Sequence, residues 1–232
     1  MRLDKYLAEM GAGTRKEIGK AVRAGRVTVN GQASKNAAMQ VTAEDDVRLD
    51  GALIAYETFV YYMLNKPAGV ISATEDARER TVLDLISERQ RKGLFPVGRL
   101  DKDTEGLLLI TNDGALAHRL LSPKHHVDKV YYARLDGPVG EAEKALFAQG
   151  LKVDDTLTAL PADLEILTPA TEVRVTIREG KFHQVKRMFE AVGREVLYLQ
   201  RLSMGPLILD ESLPKGGYRR LTEEEESAIM NV

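Results

Sequence analysis

The 232 residues contain no cysteine and no tryptophan, and only four histidines. Without cysteine there is no disulfide, no thiol nucleophile and no thiolate zinc or iron–sulfur site. An oxidising compartment is not required, so a cytoplasmic home is expected. Long apolar runs are missing as well. Stretches such as GLLLI (106–110) are far too short to cross a bilayer, and the start, MRLDKYLAEM, lacks the apolar core of a secretory leader. No membrane partner is expected. No excess of one charge appears either: 33 Lys and Arg face 35 Asp and Glu, a formal net of −2. Hydrophobic residues make up 44% and charged residues 29%, which excludes a disordered chain and suits one or two folded domains.

The balanced total conceals an uneven distribution. Residues 1–36 hold eight cations against Asp4, Glu9 and Glu17, a local net of +5. Residues 174–187 hold Arg174, Arg178, Lys181, Lys186 and Arg187 against Glu179, a local net of +4. Two basic patches on an acidic background suit a chain that meets a polyanion at two places, although solvated surface explains charge equally well.

The first patch has a recognisable local architecture. Leu3, Tyr6, Leu7 and Met10 recur at helical spacing, predicting a short helix over 2–10. Thr14 with Glu17 forms a capping box for a second helix, and Gly25 supplies its stop. Lys16, Lys20 and Arg23 share one face of that helix, with Arg15 and Arg26 near its ends, a pattern able to follow a phosphate backbone. Val27 and Val29 then lead into Asn30-Gly31, a strong hairpin signal, and Val41, Val47 and Leu49 suggest a further strand. Residues 1–50 resemble the S4-type RNA-binding domain, through Arg2-Leu3-Asp4-Lys5, Thr14-Arg15 and Gly25 to Gly31. Residues 51–59 read as a linker.

From residue 60 onward strands and helices mix without a regular alternation, so α+β is expected. Strands are predicted at VYYMLNK (60–66), LLLIT (107–111), KVYYARL (129–135) and EVRVTIR (172–178). Helices are predicted from Thr81 to a stop at Gly93, over 140–149, over 183–192 and beginning near Glu223. The stretch 98–114, GRLDKDTEGLLLITNDG, sets a charged loop against a very apolar strand. A carboxylate at such a junction is partly desolvated, and a neighbouring cation keeps it ionised. Asp101 and Asp103 are the candidates there, although loop aspartates commonly only cap turns. The segment misses a calcium loop because Asn112 stands where a bidentate glutamate is needed. GTRKEIGKA has the wrong glycine spacing for a phosphate loop, and no G-x-G-x-x-G occurs. His125-His126 has no carboxylate spacing to complete a metal site, so no metal is expected.

Residues 98–114 closely resemble the signature G-R-L-D-x-x-T-x-G-L-L-L-x-T-N-D-G of the RsuA/RluB branch of pseudouridine synthases. The likeness continues through Leu64-Asn65-Lys66-Pro67-x-Gly69, Ser122-Pro123, Lys129-x-Tyr131 and Glu179 to Met188. It implies an S4-type domain followed by a catalytic domain (60–232) built on a mixed, largely antiparallel sheet. It implies isomerisation of uridine in RNA without a cofactor. Within the family the likeness is to the members that act on the small-subunit (16S) rRNA, at a site of the uridine 516 class. Partners would be 16S rRNA or a 30S assembly intermediate, met by a monomer. A 23S rRNA enzyme of the same family and a non-catalytic ribosome-assembly factor stay open.

The resemblance also assigns roles. Asp101 maps onto the family's essential aspartate and Tyr131 onto its active-site tyrosine, with Tyr132 expected to point the other way along the strand. Lys186 maps onto the cation that pairs with the aspartate. Arg99 is expected to fill the gap left by a displaced base. Arg178, Lys181, His183 and Arg187 are expected at the RNA rim, and Arg15, Lys16, Lys20, Arg23 and Arg26 on the N-terminal helix.

Overall fold

A computed structural model describes residues 1–87 and 93–232. The chain forms two compact units: Met1–Val60 with Ile86–Leu94, and Tyr61–Leu85 with Phe95–Val232. No helix among the described residues is long and apolar enough to cross a membrane.

The N-terminal unit follows its sequence signals closely. Helix α1 runs Leu3–Glu9 and α2 runs Arg15–Arg23. Both halves of the capping box form, since the Thr14 hydroxyl accepts from the Glu17 amide and a Glu17 carboxylate oxygen accepts from the Thr14 amide at 2.8 Å. Strands β1 (Val27–Val29), β2 (Gln32–Ala33), β3 (Val47–Leu49) and β4 (Ala52–Leu53) make a sheet in the order β2-β1-β3-β4. Asn30 and Gly31 take φ values of 51° and 80°, the left-handed pair that a type I′ hairpin requires. Val41 is buried in the core but lies outside the strands.

The stretch 51–59 is not merely a connection. Asp50 and Gly51 repeat the left-handed turn, with φ values of 51° and 83°, and fold β4 back on β3. The Tyr6 hydroxyl donates to the Ile54 carbonyl at 2.8 Å, and Tyr56 packs on Tyr6 with ring centroids 5.2 Å apart. The turn was hard to foresee because Asp-Gly is not flanked there by clear alternation.

The second unit is built on a nine-stranded sheet in the order β13-β5-β7-β11-β8-β10-β9, with β6 beside β7 and β12 beside β11. These strands are β5 (Tyr61–Lys66), β6 (Phe95–Pro96), β7 (Glu105–Thr111), β8 (Lys129–Leu135), β9 (Asp163–Ile166), β10 (Glu172–Ile177), β11 (Val196–Met204), β12 (Leu207–Ile208) and β13 (Tyr218–Arg220). Every pairing is antiparallel except β7 with β11. The sheet is thus mixed and largely antiparallel, as expected. Every residue of β5 and β7 is buried, which explains their continuous apolar runs.

Helices α3 (Gly114–Leu121), α4 (Glu141–Gln149), α5 (Gln184–Ala191) and α6 (Glu223–Met230) complete the unit. Leu116 and Leu120 of α3 and Ile229 of α6 join Met63, Leu107 and Leu109 in one core cluster. Asp113 is the N-cap of α3: it accepts from the Leu116 amide at 3.0 Å and from the Tyr61 hydroxyl at 3.0 Å. Phe147 of α4 packs on Phe189 of α5 at 5.0 Å between centroids. Where the helix expected from Thr81 to Gly93 is described it holds a 3₁₀ turn at Val82–Leu85 and no α-helix, and residues 88–92 of that expectation lie outside the described residues.

Candidate active site

A cleft of about 580 Å³ opens in the second unit, and its lining is drawn from several separate stretches of sequence, Ile71, Ser72 and Leu121 among them. The loop before β7 contributes Arg99 and Asp101. Strand β8 contributes Lys129 and Tyr131, the approach to α5 contributes Lys181 to Lys186, and β11 contributes Leu199 and Arg201.

The loop carrying Asp101 is held from beneath. Lys66, at the end of β5, is fully buried and donates to the carbonyls of Pro67 (3.1 Å), Asp101 (2.9 Å), Lys102 (3.3 Å) and Thr104 (2.8 Å). Burial pushes its ammonium down to about 8, against the pull of the nearby carboxylates. The Ser72 hydroxyl donates to the Leu100 carbonyl at 2.8 Å and accepts from the Leu100 amide at 3.0 Å. The Gly69 amide donates to the Lys102 carbonyl at 2.8 Å. The segment 64–72 therefore serves as the mould for the segment 98–104, which gives the Asn65-Lys66-Pro67 motif a physical purpose.

Within the cleft Asp101 faces two basic side chains. Lys186 Nζ is 3.4 Å from Asp101 Oδ2, and His183 Nε2 is 3.5 Å from Oδ1. Lys186 makes its shorter contacts with Asp103, at 2.6 and 2.8 Å. Partial burial raises the Asp103 carboxyl, but the Lys186 hydrogen bond and charge outweigh this and hold it below its ordinary value. Lys186 is thus shared by two carboxylates, and the sequence had pointed only to the first. The side chain of Asp103 is 73% exposed and that of Asp101 only 23%. Asp101 is therefore the carboxylate more removed from water.

Strand alternation separates the two tyrosines of β8. Tyr131 lines the cleft, while Tyr132 packs edge-on against Tyr198 at 6.0 Å. The Tyr198 hydroxyl in turn donates to Glu105 at 2.6 Å, and Lys215 pairs with the same oxygen at 2.6 Å. Glu105 is occupied on the far side of β7 and faces away from the cleft chemistry.

The turn into α5 is fixed by a buried pair. Glu179 accepts from the Leu160 amide at 2.8 Å and from the Gln184 side chain at 2.9 Å, and Gln184 accepts from the Lys181 amide at 3.0 Å. This lock presents Lys181, Phe182 and His183 at the mouth. Phe182 is 76% exposed and stacks on His183 at 3.7 Å. An exposed phenylalanine at a cleft mouth is a ready stacking surface. The sequence offered one signal for it, an aromatic set inside a basic run, which the expected rim contacts did not include.

The expected basic residues divide into two groups. Arg99 and Lys181 line the cleft without an ion pair among the described residues, and on α2 the side chains of Arg15, Lys16, Lys20 and Arg23 are exposed. Arg26, Arg178 and Arg187 are engaged instead. Arg26 pairs with Asp50, Arg178 bridges Asp128 (2.9 Å) and Asp163 (2.8 Å), and Arg187 holds Asp154, the Thr156 hydroxyl (2.7 Å) and the Phe182 carbonyl (3.2 Å). Neither Arg178 nor Arg187 lines the cleft. Their carboxylate partners, Asp128, Asp154 and Asp163, lie 15 to 50 residues away in the chain, which no local pattern reveals.

Residues 60–191 match the family model described as RNA pseudouridylate synthase, and residues 1–47 match the S4 domain. These matches define the class as an RNA-modifying isomerase that carries an S4 domain. The chain belongs to the RNA pseudouridylate synthase family. It is 49% identical over 230 residues to an uncharacterized RNA pseudouridine synthase of Bacillus subtilis, covering 97% of this chain and 96% of that one. It is 45% identical over 232 residues to the ribosomal small subunit pseudouridine synthase A of Salmonella typhimurium, covering 99% of this chain and 100% of that one. A solved pseudouridylate synthase superposes with a TM-score of 0.70 at 40% identity, covering 99% of both chains.

Proposed function

We propose that the enzyme converts one uridine of 16S rRNA, of the uridine 516 class, to pseudouridine, acting in the cytoplasm on free rRNA or a 30S assembly intermediate. The observation that carries this reading is the meeting of Asp101, Tyr131, Lys186 and Arg99 at one cleft, in a chain that matches small-subunit enzymes over its full length.

The target base must leave its stack to reach such a cleft. Arg99, exposed at the mouth, takes the vacated place with its flat guanidinium. Tyr131 packs on the uracil. The Asp101 carboxylate meets C1′ as the N1–C1′ bond breaks, either as nucleophile or as counter-charge to the sugar cation. Lys186 and His183, at 3.4 and 3.5 Å from its oxygens, keep it aimed. The uracil turns, C5 bonds to C1′, and the C5 proton departs with help from the Tyr131 hydroxyl while N1 gains one. The sum is an isomerisation, and one carboxylate suffices because the leaving group is itself a stabilised anion. Lys181, Phe182 and the α2 cations hold the surrounding RNA, and Arg26, Arg178 and Arg187 shape the loops beside them.

The test is tritium release from C5-tritiated uridine in 16S and 23S transcripts and in 30S precursor particles, with Asp101→Asn as control. Release from a 16S-containing substrate, lost in the variant, is expected. Release from 23S alone would overturn the subunit assignment, and release undiminished in Asp101→Asn would overturn the role of Asp101.

A further inference from the structure

Two cations at the floor of the cleft have no part in the roles assigned so far. Arg201 is 2% exposed and Lys129 is 5% exposed, and both line the cleft. Neither has a carboxylate at ion-pair distance among the described residues. Arg201 donates through Nε to the Leu107 carbonyl at 2.8 Å, and its buried Nη2 donates to nothing. Lys129 donates to the Val127 carbonyl at 3.0 Å. The neighbouring Asp128 is taken by Arg178. Burial and repulsion from Arg201 push the Lys129 ammonium down to about 8.

Their placement is specific. Tyr131 and Arg201 are register partners on β8 and β11, and Lys129 lies two residues before Tyr131 on the same strand face. Gly106 secures the position of Arg201: with φ +97°, it lets β7 approach so closely that a Cβ would sit 2.3 Å from the Arg201 carbonyl oxygen. Positive charge in a dry interior is unfavourable unless an anion compensates it. Around it stand Ile71, Leu100, Leu121, Ile177 and Leu199, walls suited to a flat base and not to a hydrated phosphate.

Resting on the function proposed above, we infer that Lys129 and Arg201 form an electrostatic floor that holds the detached uracil as an anion between bond cleavage and rejoining. When N1–C1′ breaks, the electron pair stays with N1 and spreads to O2 and O4, while C1′ keeps the matching positive charge opposite Asp101. A fixed positive field in a low-dielectric pocket stabilises that anion without reorganising. It also leaves the ring free to turn, because charge attraction depends less on angle than a set of hydrogen bonds does. The long stem of Lys129 lets its ammonium follow an oxygen through the rotation. Lys129 is then a catalytic residue, and Arg201 acts through the field it adds.

A leaving-group comparison tests this. Full-length enzyme is assayed in single turnover on 16S transcripts made with uridine or with 5-fluorouridine, whose fluorine stabilises the leaving anion. Chromatography of the digested RNA reads the C-glycoside formed from either nucleoside. Lys129→Met and Arg201→Gln are expected to slow the uridine reaction by about 100-fold and the fluorinated one by about 10-fold or less. Affinity for RNA should be unchanged, and Arg201→Lys should recover most of the rate. Equal losses on both substrates would mean that these residues only support the fold and would overturn the inference, as would no loss at all. Should Arg201→Gln fail to fold, Lys129→Met alone decides the matter. Asp101→Asn separates the two proposals: activity surviving in that variant would remove the reading of the cleft itself, whereas an inactive Asp101→Asn beside a fully active Lys129→Met would remove this inference alone.

Discussion

Helix α2 and the cleft use the same residue types in opposite ways. Lys16, Lys20 and Arg23 stand in water on one helical face. Lys66, Lys129 and Arg201 are buried, and Lys186 is bound between two carboxylates. Charge in water acts softly, is screened within about 10 Å at ordinary salt, and tolerates displacement. Charge in a dry interior acts strongly at short range and must be held in place. The first arrangement suits attraction to a polyanion and the second suits control of individual atoms.

The largest effect belongs to Asp101. Asp101→Asn keeps the size of the side chain and removes its charge. Turnover should fall by about 10⁴-fold or more, measured as tritium release, while RNA affinity stays nearly constant in filter binding. A matching fall in affinity would mean that the cleft binds more than it reacts.

Next come the groups that place the buried charges. In Gly106→Ala the new Cβ meets the Arg201 backbone at 2.3 Å in a conformation that L side chains rarely adopt. We expect a loss of about 3 kcal/mol or more, read by chemical denaturation. Lys66→Met strands four carbonyls under the Asp101 loop and should cost about 3 kcal/mol, with turnover falling as the loop loses its mould. Lys20→Ala, its counterpart in the N-terminal unit, should leave the thermal midpoint unchanged. A stable, fully active Lys66→Met would show that the loop holds its shape without that lysine.

The contrast also governs what could be read in advance. The N-terminal helices, the Asn30-Gly31 hairpin and strands β5, β7, β8 and β10 follow local rules of capping, turn chemistry and period, so they were legible. Asp101, Tyr131 and Lys186 were legible through their motifs, and the opposite facing of Tyr132 through strand alternation. Strand β11 was not. Register shifts between Val196 and Tyr198 and between Arg201 and Ser203 break its period, and the inward position at 201 is an arginine. A search for alternating apolar residues passes over it. The double partnership of Lys186 and the engagement of Arg178 and Arg187 were equally hidden, because each depends on contacts between segments far apart in the chain.

A smaller effect is expected from α2. Changing Lys16, Lys20 and Arg23 together to Ala should weaken RNA binding and reduce the slope of log affinity against log salt by about 2 to 3. Single-turnover rates at saturating enzyme should hold. An unchanged slope would mean that this face is not in contact with phosphate.

The smallest effect tests the boundary between the two kinds of charge. Arg26 sits on the same exposed unit as Lys20, yet Asp50 already neutralises it through a two-pronged contact. Arg26→Ala should therefore change RNA affinity much less than Lys20→Ala does, because an arginine matched by a carboxylate releases few counterions from RNA. Asp50→Ala should do the reverse: it frees the guanidinium, tightens binding and steepens the salt slope by about 1. Adding Arg26→Ala to Asp50→Ala should erase that gain. If Arg26→Ala alone weakens binding as much as Lys20→Ala, the ion pair opens for RNA. Exposure alone, and not freedom from a partner, would then mark the cations that bind.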